Sequence, residues 1–289
     1  MLSFVIGTGR CGSTLVHEVL ARHPALGFVS NLDDRFAHCP SLVRRGANTL
    51  YRRVPAALTR KGRPRFAPSE AYRALSREVS PLLSEPFRDL TAEDATPWLA
   101  DRLRRFFLTR WEAAGTPQYS HKFTGWPRTG LLREVFPDAR FVHVVRDGRA
   151  VANSWLQMPW WRGHLGPGGW HFGPLPDRYA EEWEASGRSH VLLAGLAWKL
   201  LMDAYTSASC DGWLEVRYED LLADPRKHVE LILDFLDLPW TPAFERGFAR
   251  HTFTSGRADA YRTDLTPAQQ SMLTRSLEPH LRAHGYPLG

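Results

Sequence analysis

GTGRCGST, residues 7–14, lies between an apolar run, SFVI (residues 3–6), and LVHEVLARH (residues 15–23). The pattern predicts a strand, a glycine-rich turn and a helix that begins near Ser13 and runs to about Arg22, before His23-Pro24. At such a junction, free backbone N–H groups and the positive end of the helix dipole converge on an anionic group, usually a phosphate. The eight residues fit two phosphate-binding patterns. Gly7, Gly9 and Gly12 spell G-x-G-x-x-G, the dinucleotide fingerprint; Gly7, Gly12 and Thr14 spell a Walker A loop in which Ser13 occupies the lysine position.

Each pattern has a weakness. A dinucleotide fold needs an acidic residue about twenty positions on to bind the ribose. Asp33 and Asp34 lie at about that distance, but the preceding GFVSNLDD is a poor second strand. A nucleotide kinase needs the absent lysine, whose ammonium reaches the β- and γ-phosphates. A cysteine phosphatase needs an arginine six residues after Cys11, where His17 stands, so Cys11 reads as a small residue packed in the turn. What remains is a P-loop relative in which Arg10, Ser13 and Thr14 join the backbone N–H groups around an anion. Such a loop supplies its own positive charge and needs no magnesium bridge, and no metal ligands are expected.

Composition sets the frame. The chain has 289 residues, of which 43% are apolar and 12% aromatic, enough for a sizeable core. No run of about eighteen apolar residues occurs, so no membrane-spanning helix is expected. Met1 leads straight into the first strand without a basic leader, which does not indicate secretion. Cys11, Cys39 and Cys210 are scattered and form no C-x-x-C pair, which suits a reducing cytoplasm. The net charge of +6 fits an anionic ligand. The basic run RKGRPRF (residues 60–66) reads as a solvated loop, since no nucleic-acid-binding module surrounds it.

Strand and helix signals alternate along the rest of the chain. Residues 40–115 carry mainly helix signals. Thr96-Pro97 opens a helix with Leu99, Leu103, Phe106, Phe107 and Trp111 on one face, and Gly115 ends it. Strands are expected at 119–123, 140–145 and 213–218. The second of these is almost wholly apolar, as in a parallel sheet covered on both faces. Further helices are expected at 148–156, 189–204, 225–235 and from Thr266-Pro267 onward, the last with a capping-box pattern. Between 157 and 177 lies a Gly/Trp/Pro-rich segment that reads as a lid-like loop. The expected fold is α/β: a three-layer sandwich with a central parallel sheet, P-loop NTPase-like, with a helical insertion at about 40–115. Without repeats or a low-complexity linker, residues 1–289 read as one domain.

FVHVVRDGRAVANSW (residues 141–155) is the second informative stretch. Arg146 falls at the carboxyl end of a buried strand, the edge at which open α/β sheets bind ligands. Ser154 follows eight residues later on the next helix. The two can converge on one phosphate, with the guanidinium as bidentate partner. Alternatively, Arg146 forms a structural ion pair with Asp147 or Glu134. Together with the opening loop, the pair suggests a ligand carrying two separate phosphate-type groups.

GTGRCGST, KFTGWPR (residues 122–128), the Arg146…Ser154 pair and RYEDLLADP (residues 217–225) resemble the sulfotransferases that use 3′-phosphoadenosine 5′-phosphosulfate (PAPS). The resemblance implies that Arg10, Gly12, Ser13 and Thr14 hold the phosphosulfate and that Arg146 and Ser154 hold the 3′-phosphate. It also makes SGRADAYR (residues 255–262) a loop closing over the nucleotide, with Arg257, Tyr261 and Arg262 as contacts. Tyr218 would lie near the adenosine or serve as plain core. Lys122 would stand near the transferring group. Successive strand residues face opposite sides, which leaves either Lys122 or His121 facing the site, and Lys122 is favoured.

The general base is harder to assign. Many relatives carry a Glu shortly after the first helix, but HPALGFVSNLDDRF (residues 23–36) has none. Asn31 stands about where it would be, so Asp33 or Asp34 becomes the expected base, with Arg10 and Lys122 completing the catalytic set. The alternatives are a nucleotide-dependent kinase or dehydrogenase, and a protein that binds 3′-phosphoadenosine 5′-phosphate (PAP) without transferring anything. The acceptor is expected to be a small molecule, carbohydrate or lipid, not a nucleic acid. Its pocket is expected at the helical insertion and at the loop bearing Trp155, Trp160, Trp161 and Trp170.

Overall fold

The computed structural model describes residues 1–36, 39–55, 66–254 and 258–288. Its centre is one five-stranded parallel sheet: β1 (Leu2–Gly7), β2 (Leu26–Gly27), β3 (Gln118–Thr124), β4 (Arg140–Val145) and β5 (Trp213–Arg217), in the order β2-β3-β1-β4-β5. β1 lies in the middle, and its last residues, Ile6 and Gly7, pair with Phe123 and Thr124 of β3. On its other side Ile6 is level with His143 of β4. The carboxyl ends of β1, β3 and β4 therefore open onto the same edge.

Alternation of side chains divides the core into the two faces of a three-layer sandwich. Phe4 and Ile6 of β1, with Phe141 and Val145 of β4, face one hydrophobic cluster. Val5, Val142 and Val144 face the other. Helix α1 (Ser13–Leu20) covers the second face with Val16 and Val19. On the first face lie α5 (Pro97–Ala114), α6 (Thr129–Val135), α7 (Gly148–Leu156), α9 (His190–Ala208) and α14 (Pro267–Ala283). Phe107, Trp155, Trp198 and Leu277 are among their wholly buried contributions. As the apolar stripe predicted, α5 starts with Pro97 at its first position and stops at Gly115, whose φ of +63° is the left-handed cap that glycine adopts without cost.

Among the described residues of 40–115 the main regular elements are helices, as expected: α3 (Ser41–Arg53) and α4 (Tyr72–Glu78) precede α5. Several elements differ from the sequence expectation. A short α2 (Asn31–Arg35) stands where no regular element was foreseen. The last strand stops at Arg217, so that Tyr218 begins α10 (Tyr218–Ala223) instead of ending β5. α8 (Asp177–Ala185) and α12 (Pro242–Phe248) were not foreseen either, and α11 (Pro225–Phe235) and α13 (Tyr261–Asp264) complete the helices used below. Between α7 and α8 the chain is irregular apart from one 3-10 turn, Gly163–Leu165. Its tryptophans are mostly packing: Trp155 stacks on Trp161 (5.4 Å between ring centres) and on Phe172 (5.5 Å), while Trp160 is exposed.

Several histidines are buried without charge partners, which makes stability sensitive to acid. Burial, with Lys122 adding repulsion, holds the His17 imidazole down to about 3. His17 is neutral when folded, but protonates below about 6.5 in the unfolded chain. The unfolded state therefore binds more protons between these values, and stability falls as the pH drops through that window. Urea unfolding at pH 5 should show a loss of about 2 kcal/mol from this residue relative to pH 7. His17→Gln should flatten that part of the pH dependence; an unchanged slope would contradict the assignment.

Candidate functional site

The loop after β1 turns through left-handed residues at Gly9 (φ +81°), Arg10 (+58°) and Gly12 (+94°). Turns of this kind gather backbone N–H groups into an anion-binding concavity. Cys11 is wholly buried below the loop. A Cβ on Gly7 would lie 2.5 Å from its sulfur and 2.7 Å from the Val144 carbonyl oxygen, so the small residue in the turn is there for close packing. A Cβ on Gly12 would meet the Tyr218 ring at 2.1 Å. α1 begins at Ser13 with no side chain capping its first turn. Its leading N–H groups thus carry the partial positive charge of a helix start toward the loop.

The two stretches singled out from sequence meet here. Arg10 donates from Nε to Ser154 Oγ at 2.9 Å, and Arg146 donates from an Nη to the Arg10 carbonyl at 2.9 Å. The adjacency of β1 and β4 makes this possible, because Arg146 follows β4 directly and Ser154 stands on α7 above it. Asp147 does not serve as the Arg146 partner; it is held by Arg149 at 2.7 Å and caps α7. Tyr218 fills the space between Gly12 and the Arg146 guanidinium, which sits 5.2 Å from its ring centre.

Lys122 comes from β3. Its Nζ donates to Thr14 Oγ1 at 2.6 Å and pairs with Glu70 at 2.9 Å. The ammonium that the loop lacks at position 13 is thereby delivered by a neighbouring strand. His121 points to the opposite face, wholly buried between Phe107 and Phe123, and burial pushes its imidazole well below the ordinary value. It is a neutral core histidine.

The carboxylate that reaches this lysine is therefore Glu70, which sequence reasoning missed. Thr124 Oγ1 donates to Glu70 at 3.3 Å, and the Thr124 backbone N–H donates to the Tyr72 hydroxyl at 3.0 Å. The segment bearing Glu70 is anchored to the chain after α1 by an antiparallel bridge between Ser30 and Pro68. Asn31 Nδ2 donates to the Ala67 carbonyl at 3.1 Å, and the Ser69 N–H to Val29 at 2.8 Å. Asn31 thus holds the strand-like segment that carries Glu70. No local signal in APSEAYR marks it out.

The expected bases have other partners. Asp33 is buried and accepts from Arg110 Nε at 2.8 Å and Arg44 Nε at 3.1 Å. Asp34 accepts from the Ala74 N–H at 3.0 Å and the Ser69 hydroxyl at 3.3 Å, fixing α4 and the residue next to Glu70. Both carboxylates are spent on building the helical layer. Tyr261 is buried against the Arg149 guanidinium, 5.1 Å away, rather than open to a ligand. Asp264 of the same short helix accepts from Asn153 Nδ2 at 2.9 Å, docking α13 on α7. Arg262 is largely exposed, 3.8 Å from Asp259. Arg257 lies outside the described residues. Among the described residues no three His, Cys, Asp or Glu side chains gather as a metal site, and no helix is long and apolar enough to cross a membrane.

A parallel α/β sandwich with a glycine-rich loop leading into α1 and two arginines beside it has the P-loop-like architecture. Residues 3–242 match the Sulfotransferase family, and the chain belongs to that family of enzymes. Protein-tyrosine sulfotransferase A of Caenorhabditis elegans is 28% identical over 109 residues, which cover 38% of this chain and 24% of that protein. The chain thus matches about a quarter of that curated relative's length. Among solved structures, the sulfotransferase domain of the Synechococcus PCC 7002 olefin synthase aligns over 100% of this chain and 95% of its own, with a TM-score of 0.53 and 20% identity. Sulfotransferase STF9 from Mycobacterium avium aligns over 96% and 76%, with a TM-score of 0.55 and 21% identity. At these identities the likeness is one of fold.

Proposed function

We propose that this chain moves a sulfuryl group from PAPS to a hydroxyl or amine of a small-molecule, carbohydrate or lipid acceptor, without a metal. The observation that carries this reading is the meeting of Arg10, Arg146 and Ser154, through two 2.9 Å contacts, beside the uncapped start of α1. That edge offers donors for two separate anionic groups, which is what a nucleotide phosphorylated at both ends of its ribose requires. When bound, PAPS supplies an activated sulfur with a phosphate leaving group. Gly12, Ser13 and Thr14 would cradle the phosphosulfate, and Arg146 and Ser154 the 3′-phosphate.

Glu70 would take the proton from the acceptor as its oxygen or nitrogen attacks sulfur. Lys122, between Thr14 and Glu70, would meet the negative charge that grows on the bridging oxygen as the S–O bond to the nucleotide breaks. The proton ends on the carboxylate and the electron pair on the departing phosphate, so no further reactant is needed. A recess of about 590 Å³ supports an acceptor with an apolar ring or chain; Phe87 of the insertion and Trp170, Leu175 and Trp183 of the lid-like loop and its following helix line it.

The nucleotide assignment is tested by thermal unfolding with PAP, ATP-magnesium and NAD. PAP at a hundred times its dissociation constant should add about 2.7 kcal/mol, and the other two far less. Arg146→Ala should remove that gain. An equal response to ATP-magnesium would overturn the reading.

A further inference from the structure

At the far end of α1 from the loop, a second basic site is built from residues the proposed reaction does not use. A recess of about 420 Å³ is lined by Arg22, Arg52, Arg53, Arg246 and Arg250 together with Thr49, and no carboxylate is among its described lining residues. Three helix ends bring the arginines there. Arg22 follows α1, Arg52 and Arg53 close α3, and Arg246 and Arg250 belong to α12 and the turn after it. Arg22 stands roughly nine residues from Ser13, about 14 Å along the helix direction at 1.5 Å per residue. The recess is therefore separate from the nucleotide loop.

Capping of helix carbonyls explains part of the cluster. One Nη of Arg22 donates to the Tyr51 and Val54 carbonyls, and one of Arg250 donates to those of Arg52 and Val54. It leaves the rest unexplained. Arg22 is only 2% exposed, yet its other Nη is buried with no hydrogen-bond partner among the described residues, as is Arg52 Nε. Arg53 and Arg246 are exposed and have no ion-pair partner among the described residues. The packing commits to this arrangement: Gly247 has no room for a Cβ, which would stand 2.6 Å from Arg22 Cβ. Burial lowers the Arg22 guanidinium below its ordinary value, with Arg250 adding to this while Tyr51 and Glu18 oppose it. Burial brings Arg52 down to about 10.

Gathering like charges around a desolvated donor is unfavourable unless an anion completes the set. Guanidinium forks suit the paired oxygens of phosphate and sulfate. We propose that this recess binds a phosphate or sulfate group, either the free ion or a monoester on a larger molecule, at a site distinct from the nucleotide loop.

The test is calorimetric titration of the full chain with inorganic phosphate, inorganic sulfate and glucose 6-phosphate, each against sodium chloride of equal ionic strength. Saturable binding is expected, with Arg53→Gln/Arg246→Gln weakening it at least tenfold. Among the described residues these two side chains make no hydrogen bond or ion pair, so the variant should keep the wild-type melting temperature and PAP affinity. Arg52→Gln should weaken binding further. Tighter binding of glucose 6-phosphate than of inorganic phosphate would assign the site to an esterified group, and the reverse order to the free ion; both support the proposal. Heat no greater than that of chloride would overturn it. So would binding unaltered in the double variant, or lost on saturation with PAP.

Discussion

Glu70→Gln should lower turnover with PAPS and a working acceptor by about 10²–10⁴-fold, the usual contribution of a positioned general base. PAP affinity should stay unchanged. The amide keeps the shape of the carboxylate and a carbonyl oxygen for Lys122 Nζ, now 2.9 Å from the acid, but it cannot accept the acceptor's proton. Thr124 Oγ1, at 3.3 Å, and Tyr72 behind it would still orient the side chain. The pH profile separates loss of the base from loss of position. The wild type should lose kcat/KM on the acid side as the carboxylate protonates, and the variant should lack that limb. Retention of both the turnover and the acid limb would place the base elsewhere and remove Glu70 from the mechanism.

How far the sequence reaches depends on how local each cause is. The loop, α1 and the pair Arg146…Ser154 were legible because strand, glycines and helix are contiguous, and a parallel sheet brings successive strand ends to one edge. Lys122 over His121 was legible from alternation along β3, and the aromatic face of α5 from its helical period. Glu70 was not, because it arrives through a bridge between Ser30 and Pro68 that neither segment announces. Tyr218 was half legible. The strand before it was expected, but its ring packs on Gly12 because the chain turns into a helix one residue sooner than the apolar run suggested. The arginine recess was invisible for a further reason: its members come from three helix ends, and in the sequence each reads as an ordinary solvated charge.

Asp33→Ala should cost stability rather than catalysis. Removing one partner of a buried pair typically costs about 3–5 kcal/mol, because the remaining charge is left desolvated. Here the cost should lie near about 3 kcal/mol, since the Arg110 Nη that faces Asp33 also reaches Glu78 at 2.8 Å and keeps that carboxylate. Arg44, one side of its pairing lost, can turn toward solvent because its side chain is 16% exposed. Urea unfolding measures the loss directly. The folded fraction should keep wild-type kcat, as the contacts among Lys122, Thr14 and Glu70 do not pass through Asp33. Arg110→Met/Asp33→Leu, which removes the two charges that face each other, should recover part of the lost stability, because no desolvated guanidinium then remains at that position. A large fall in kcat in Asp33→Ala without loss of stability would return the base to the helix after Ser30, as the sequence alone suggested. The expected separation has a physical basis: a base must reach solvent-borne acceptor, and Asp33, 3% exposed beneath two guanidiniums, cannot, whereas Glu70 keeps 32% of its side chain open.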